Sequence, residues 1–185
     1  MTEMLVRLIG KSATKMYLKV WPPYGENRQS DIDTAACFSF VGESNEVVGF
    51  TTDQSDLTTL CVFKAELPRV YFNWPFYKTR MQKWMQCDLE EDIDTEFYAA
   101  HESHLFGNII DAPIKRIDYI TVGEEGPIGL RLQYENDYLL SFPNIDGNTI
   151  KTRHFNKDAS LSAFENLGRV ELVNILDYRC CLSTK

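Results

Sequence analysis

Ile128, Leu130, Leu132 and Tyr134 alternate with Gly129, Arg131 and Gln133. Successive side chains of an extended chain point to opposite faces, so this is the pattern of a strand with one buried face. Its neighbours repeat the theme. Arg116 to Val122 is strand-like, and Gly123 to Pro127 turns the chain towards the alternating segment. Glu135-Asn-Asp137 turns it again, and Tyr138 to Phe142 returns. Asp146-Gly-Asn148 is a hairpin signal, because glycine reaches the positive φ of a tight turn without steric cost. Thr149 to Phe155 follows as a strand. Strands joined by tight turns pair antiparallel, since a parallel pair needs a long crossover. A meander of about four antiparallel strands is predicted. Asp158 to Gly168 reads as a short helix, with Asp158 or Ser160 as its cap and Gly168 as its stop. Arg169 to Leu176 alternates again and is expected to close the sheet.

The first half carries the same period with weaker punctuation. Lys15 to Trp21 alternates polar and apolar residues, and Pro22 to Ser30 is a loop. Ala36 to Val41 and Glu46 to Thr51 flank Gly42-Glu-Ser-Asn45 as a hairpin. Thr59 to Lys64 and Arg69 to Phe72 are further strands, divided by Pro68. Pro75 suits the first turn of a helix. Tyr77, Met81, Trp84 and Met85 then recur on one helical face, with Lys78, Arg80 and Lys83 mostly off it, so residues 75–88 are predicted to be an amphipathic helix whose stripe packs into the core. Strands in succession exclude a doubly wound parallel sheet. The expected fold is α+β: a sheet-rich single domain over residues 1–185, with eight or nine strands and two or three helices. A seam near 107–113 is the one place where it could divide.

The length of 185 residues suffices to bury a core, and 12% aromatic residues exclude pervasive disorder. The five cysteines, Cys37, Cys61, Cys87, Cys180 and Cys181, form no C-x-x-C pattern, which fits reduced thiols in a cytosol. Glu3, Arg7 and Lys11 interrupt the apolar start, so no secretory signal is expected there. No apolar run is long enough to cross a bilayer. A cytoplasmic protein is expected. Its net charge of −8 argues against nucleic acid and anionic lipid as partners.

That charge is concentrated. Between Trp84 and Ile114 stand eight acids and no Lys or Arg, so this stretch carries the whole net charge. Six of them, Asp88, Glu90, Glu91, Asp92, Asp94 and Glu96, fall within nine residues. Unpaired carboxylates lose several kcal/mol of solvation when buried. The run must therefore be solvated, paired with cations, or pressed against a basic partner. Three readings remain open: a solvated loop, a docking surface for a basic protein, or a divalent cation site at Asp92-x-Asp94-x-Glu96, which lacks the glycine of a calcium loop.

His101-Glu-Ser-His104 places its histidines at i and i+3, one residue short of the zinc-protease spacing. On a helix they could still share a face, with Glu96 or Glu102 completing a site. There is no G-x-S-x-G elbow and no phosphate-cradling glycine loop. Cys61, Cys87 and His154 cannot be placed together from sequence. The chain is expected not to be an enzyme and to need no cofactor. Five rings crowd Tyr71 to Tyr77. Of these, Tyr71, Trp74 and Tyr77 are candidate interface anchors beside the acidic run, since Trp and Tyr are enriched at binding hot spots.

The segment Gly129-Leu-Arg-Leu-Gln-Tyr-Glu-Asn-Asp-Tyr-Leu-Leu-Ser-Phe-Pro-Asn-Ile-Asp-Gly-Asn148 is similar to strand meanders of small bacterial immunity proteins. Those accompany polymorphic or contact-dependent growth-inhibition toxins. The resemblance implies a cytosolic inhibitor that binds one toxin domain stoichiometrically, and many such toxins are basic nucleases. It carries over no site residue. The expected contact surface is Asp88, Glu90, Glu91, Asp92, Asp94 and Glu96, with Tyr71, Trp74 and Tyr77 as anchors. A metal-dependent hydrolase at His101 and His104, and a regulatory or scaffold module, are the alternatives.

Overall fold

The computed structural model describes residues 1–21, 33–42, 45–53, 59–86, 95–123, 126–144 and 147–182. A short α1 (Thr2–Val6) leads into β1 (Ala13–Trp21), β2 (Asp33–Phe40), β3 (Glu46–Thr52), β4 (Leu60–Glu66) and the two-residue β5 (Phe72–Asn73). Then come α2 (Pro75–Met85) and β6 (Glu96–Ala99). The second half holds β7 (Arg116–Val122), β8 (Gly129–Gln133), β9 (Tyr138–Asn144), β10 (Gly147–Lys151), β11 (Val170–Asn174) and α3 (Ile175–Leu182). One sheet has the order β4-β3-β2-β1-β6-β5 and the other β10-β9-β8-β7-β11. The second is antiparallel throughout: it is the expected meander, closed by β11 against β7. The fold is α+β and sheet-rich.

Period-two alternation decides how the sheets stack. Met16, Leu18 and Val20 of β1 point the same way as Phe38 of β2 and Phe50 of β3. They meet Ile117, Tyr119, Leu130 and Leu132 of the second sheet in one buried cluster. Each such side chain contributes about 1.5–3 kcal/mol by leaving water. Ile109 and Ile114 join the same cluster. The stretch between them is stitched to the start of β1, where Asp111 N–H donates to the Ala13 carbonyl at 2.9 Å and Ile114 N–H to the Lys11 carbonyl at 3.0 Å. Of the residues at which the sequence allowed a seam, Ile109 is buried in the core that both sheets share, and Asp111 is bonded to the start of β1.

A polar clamp also joins the sheets. Asn148 of β10 is buried, and its Nδ2 donates to the Thr34 carbonyl of β2 at 2.6 Å. Its Oδ1 accepts from the Ser141 hydroxyl at 3.2 Å, and its backbone N–H donates to Asp33 Oδ1 at 2.8 Å. Gly147 makes this approach possible, because a Cβ there would lie 2.6 Å from Asp33 Cγ.

Several elements differ from expectation for local reasons. The strand expected to reach Phe155 stops at Lys151, because Thr152 Oγ1 accepts the N–H groups of His154 (3.1 Å) and Phe155 (2.9 Å) and turns the chain. The helix expected over 158–168 is a single 3-10 turn, Leu161–Phe164, capped by Ser160. Three residues per turn put Leu161 and Phe164 on one face, where both cover Ile120, Val122 and Phe142 of the second sheet. The strand over 69–72 shrinks to Phe72–Asn73, and α2 ends at Met85, before residue 88. The last strand yields to α3 at Ile175, where Asn174 Oδ1 accepts the Leu176 N–H at 2.9 Å. β6 and α1 were not expected. The loop at 22–30 and Asp146 lie outside the described residues, as do the side chains of Trp84 and Met85. Among the described residues no helix is long and apolar enough to cross a membrane.

Candidate functional site

β5 and β6 pair in parallel, with Phe72 opposite Tyr98, so α2 is the crossover between them. The acidic run lies in the connection from the C-terminal end of α2 to the start of β6. Asp88, Glu90, Glu91, Asp92 and Asp94 themselves lie outside the described residues, which resume at Thr95. The frame that carries the run is described on both sides.

Aromatic rings hold that frame. Pro75 opens α2 just after Trp74, whose N–H donates to Glu102 Oε2 at 3.1 Å. Trp74 stacks on Tyr77 with ring centroids 4.8 Å apart and planes 7° from parallel. Phe106 and Phe155 meet the Trp74 ring edge-on at 5.3 and 5.9 Å. Tyr77 meets Tyr98 edge-on at 5.2 Å, and Tyr98 stacks on Phe72 at 5.5 Å. Burial pushes the Tyr77 phenol up to about 12. Trp74 and Tyr77 therefore serve first to fasten α2 to the core. Tyr71 faces elsewhere, against Tyr17 on the outer side of the first sheet, and is 42% exposed.

Glu96 also has an internal role. Arg80 donates to it from both Nε (3.1 Å) and a terminal nitrogen, and the Tyr98 hydroxyl donates to its Oε2. The Glu96 side chain is 10% exposed and that of Arg80 22%. The guanidinium lies 4.7 Å from the centre of the Phe72 ring. The bond to Glu96 raises the Arg80 pKa further, while burial first and the Glu96 bond second raise that of Tyr98. Of the six clustered acids, Glu96 is a strut between β6 and α2 and not open contact surface. Arg80 was expected off the buried stripe. It borders that stripe instead, three residues after Tyr77, and this spacing was the available signal.

The exposed apolar groups of this region are Val70, Tyr71 and Phe76, the last 56% exposed. Phe76 was missed as a candidate, although a helix turns about 100° per residue and so aims it away from Tyr77. It sits in the first turn of α2, whereas the acidic run follows the last. At about 1.5 Å rise per residue, some ~16 Å of helix separates them. In sequence, Phe76 thus stands at the start of α2 and the acidic run after its end.

The histidines do not share a helical face. His101 ends up in one 3-10 turn (Ala100–Glu102) and His104 in the next (His104–Phe106), with Ser103 extended between them. His101 Nδ1 donates to the Met16 carbonyl at 2.9 Å, and His104 is exposed. Tyr17 packs edge-on against His101 at 5.2 Å, and its buried hydroxyl has no hydrogen-bond partner among the described residues.

No family model, curated protein or solved structure matches the chain.

Chemistry must therefore be read from the side chains themselves. Among the described residues no group of three or more His, Cys, Asp or Glu is placed to hold a metal. Cys37 is buried beneath the outer face of the first sheet, and burial pushes its thiol up to about 12, away from nucleophilic use. What this region offers is a stiff aromatic mount with a strongly anionic connection leaving one end.

Proposed function

We propose that this chain is a non-catalytic, immunity-type protein of the bacterial cytoplasm. It binds a cognate basic toxin domain, such as a nuclease, through the acidic connection between α2 and β6. The observation that carries this reading is where the acids stand. A helix C-terminus bears partial negative charge, and each carboxylate near it costs about 0.3–1 kcal/mol. Asp88 follows the end of α2 by three residues, with Glu90 and Glu91 close behind. The nearby Arg80 is committed to Glu96. Helix stability alone would select bases here, which supports a reading in which the acids answer to a partner. A basic partner would supply cations, and complementary potential speeds its docking.

The test starts from the gene upstream. If it encodes a secreted protein with a small variable C-terminal domain, that domain is expressed in cells with and without this chain. The reading expects toxicity that this chain abolishes, and a stoichiometric complex of the two proteins. Unrelieved toxicity, or no complex at low salt, would refute it.

A further inference from the structure

A cleft of about 520 Å3 opens between the ends of β9 and β10, the 155–164 segment and α2. Among the described residues that line it none is charged, in a chain of which 25% is Asp, Glu, Lys or Arg. Four aromatic rings contribute to its walls: Tyr77, Phe142, Phe155 and Phe164. The size falls in the range of small-molecule sites, about 300–1,000 Å3.

Its polar groups are few and neutral. Asn156 holds a positive φ of 50°, a backbone state that Asn tolerates better than most residues. That conformation sends its Nδ2 to Thr149 Oγ1 (2.9 Å) and to the Ile150 carbonyl (3.2 Å), which leaves its amide oxygen unused by either bond. The wall is thereby pinned across the edge of β10. No hydrogen-bond partner is described for the Tyr77 hydroxyl, and because burial holds the phenol protonated up to about 12, it remains a donor throughout the physiological range.

We propose that this cleft binds a small, uncharged aromatic molecule that carries a hydrogen-bond acceptor for Tyr77. The described side chains that line the cleft give no counter-ion to a charged ligand, so an ion entering would lose hydration with little return. Flat rings stack or meet edge-on with the four aromatic walls, and an acceptor reaches the Tyr77 hydroxyl. The site is independent of toxin binding.

The experiment uses the full chain and three probes, followed by amide chemical shifts. Benzamide is uncharged, aromatic and an acceptor. Benzoate is its charged counterpart, and cyclohexanecarboxamide its non-aromatic one. Benzamide should shift residues 142–144, 149–150 and 155–164 saturably, and should bind at least about tenfold tighter than either control. Tyr77→Phe should weaken benzamide about five- to tenfold, the share of one hydrogen bond. Ala163→Trp, at an exposed position that lines the cleft, should abolish binding while the remaining spectrum stays native. Reversal of the acidic run should leave benzamide binding unchanged, which separates failure of this site from failure of the toxin reading. No saturable shift up to millimolar benzamide would overturn the proposal. So would equal binding of benzoate, or binding that survives Ala163→Trp.

Discussion

Replacement of Arg80 by Met is expected to cost about 2–4 kcal/mol. The figure follows from what Glu96 keeps. Its carboxylate, 10% exposed, would lose both guanidinium bonds and retain the Tyr98 hydroxyl. Breaking a buried pair from one side costs about 3–5 kcal/mol, less here because water reaches part of both side chains. Glu96→Leu should be milder, about 1–3 kcal/mol, since Arg80 keeps the face of Phe72 and can turn towards water. In the double variant Arg80→Met/Glu96→Leu no charge is left stranded. The sum of the single costs should then exceed the double by about 2 kcal/mol. Part of the residual cost is the orphaned Tyr98 hydroxyl, so adding Tyr98→Phe should recover about 1 kcal/mol. Urea unfolding at neutral pH, followed by circular dichroism, measures each step. A loss of 3 kcal/mol would also appear as roughly 6–12 °C in Tm for a chain of this size. If the two single costs simply add, within about 0.5 kcal/mol, Glu96 is not the strut described and returns to the list of free acids.

Three further outcomes follow from the structure. Changing Asp88, Glu90 and Glu91 to Lys should leave Tm unchanged or raise it slightly, by up to about 1 kcal/mol of relieved dipole repulsion, while slowing toxin association most at low salt; thermal melts and stopped-flow binding check the two halves. Asn148→Ala should cost about 2–4 kcal/mol in urea melts, because it removes the two side-chain bonds to the Thr34 carbonyl and the Ser141 hydroxyl between the sheets. Alkali should destabilise the fold earlier than acid–base chemistry of an exposed surface would. Burial raises Cys37 from 9.0 and Tyr77 from 10.0, each to about 12, so the unfolded chain releases these protons first. Their contribution is fully present below about pH 9 and is lost between about 9 and 12, at up to about 1.4 kcal/mol per pH unit for each group. Cys37→Ala should flatten the lower part of that slope, which denaturant melts across this range would show.

The second sheet was legible because its physics is local. The strand from Gly129 to Gln133 alternates, each turn carries Gly, Asn or Asp, and each strand from Arg116 to Lys151 pairs with its neighbour in sequence. The first half hid its plan for the opposite reason. β6 pairs with β1, about eighty residues earlier, through Leu18 opposite Tyr98, and no local pattern reports such a partner. Its four residues begin with Glu96 and so read as the tail of the acidic run. The site was half-legible in the same way. Acid density is visible in composition, but the fate of a single carboxylate depends on which cation the fold brings to it, and Arg80 reaches Glu96 across sixteen positions. Trp74 and Tyr77 were read as anchors from residue type, while their partners Phe106 and Phe155 come from distant segments.

These differences sharpen the division of labour around α2. Everything described there agrees with everything else: Pro75 at the start, stacked rings along one side, and a charge pair tying the middle of the helix to β6. Sequences that fold well show such agreement across levels, and departures from it concentrate where function imposes them. The acids after Met85 are the departure. In sequence they set like charges side by side just past the end of a helix, where bases are the residues that favour the dipole. Glu96 shows how the fold treats an acid that it needs, with two donors and burial. The five acids before it follow a helix end already served by Lys83 in its last turn. Under the proposed function, a binding partner of opposite charge is the reason such a run is kept.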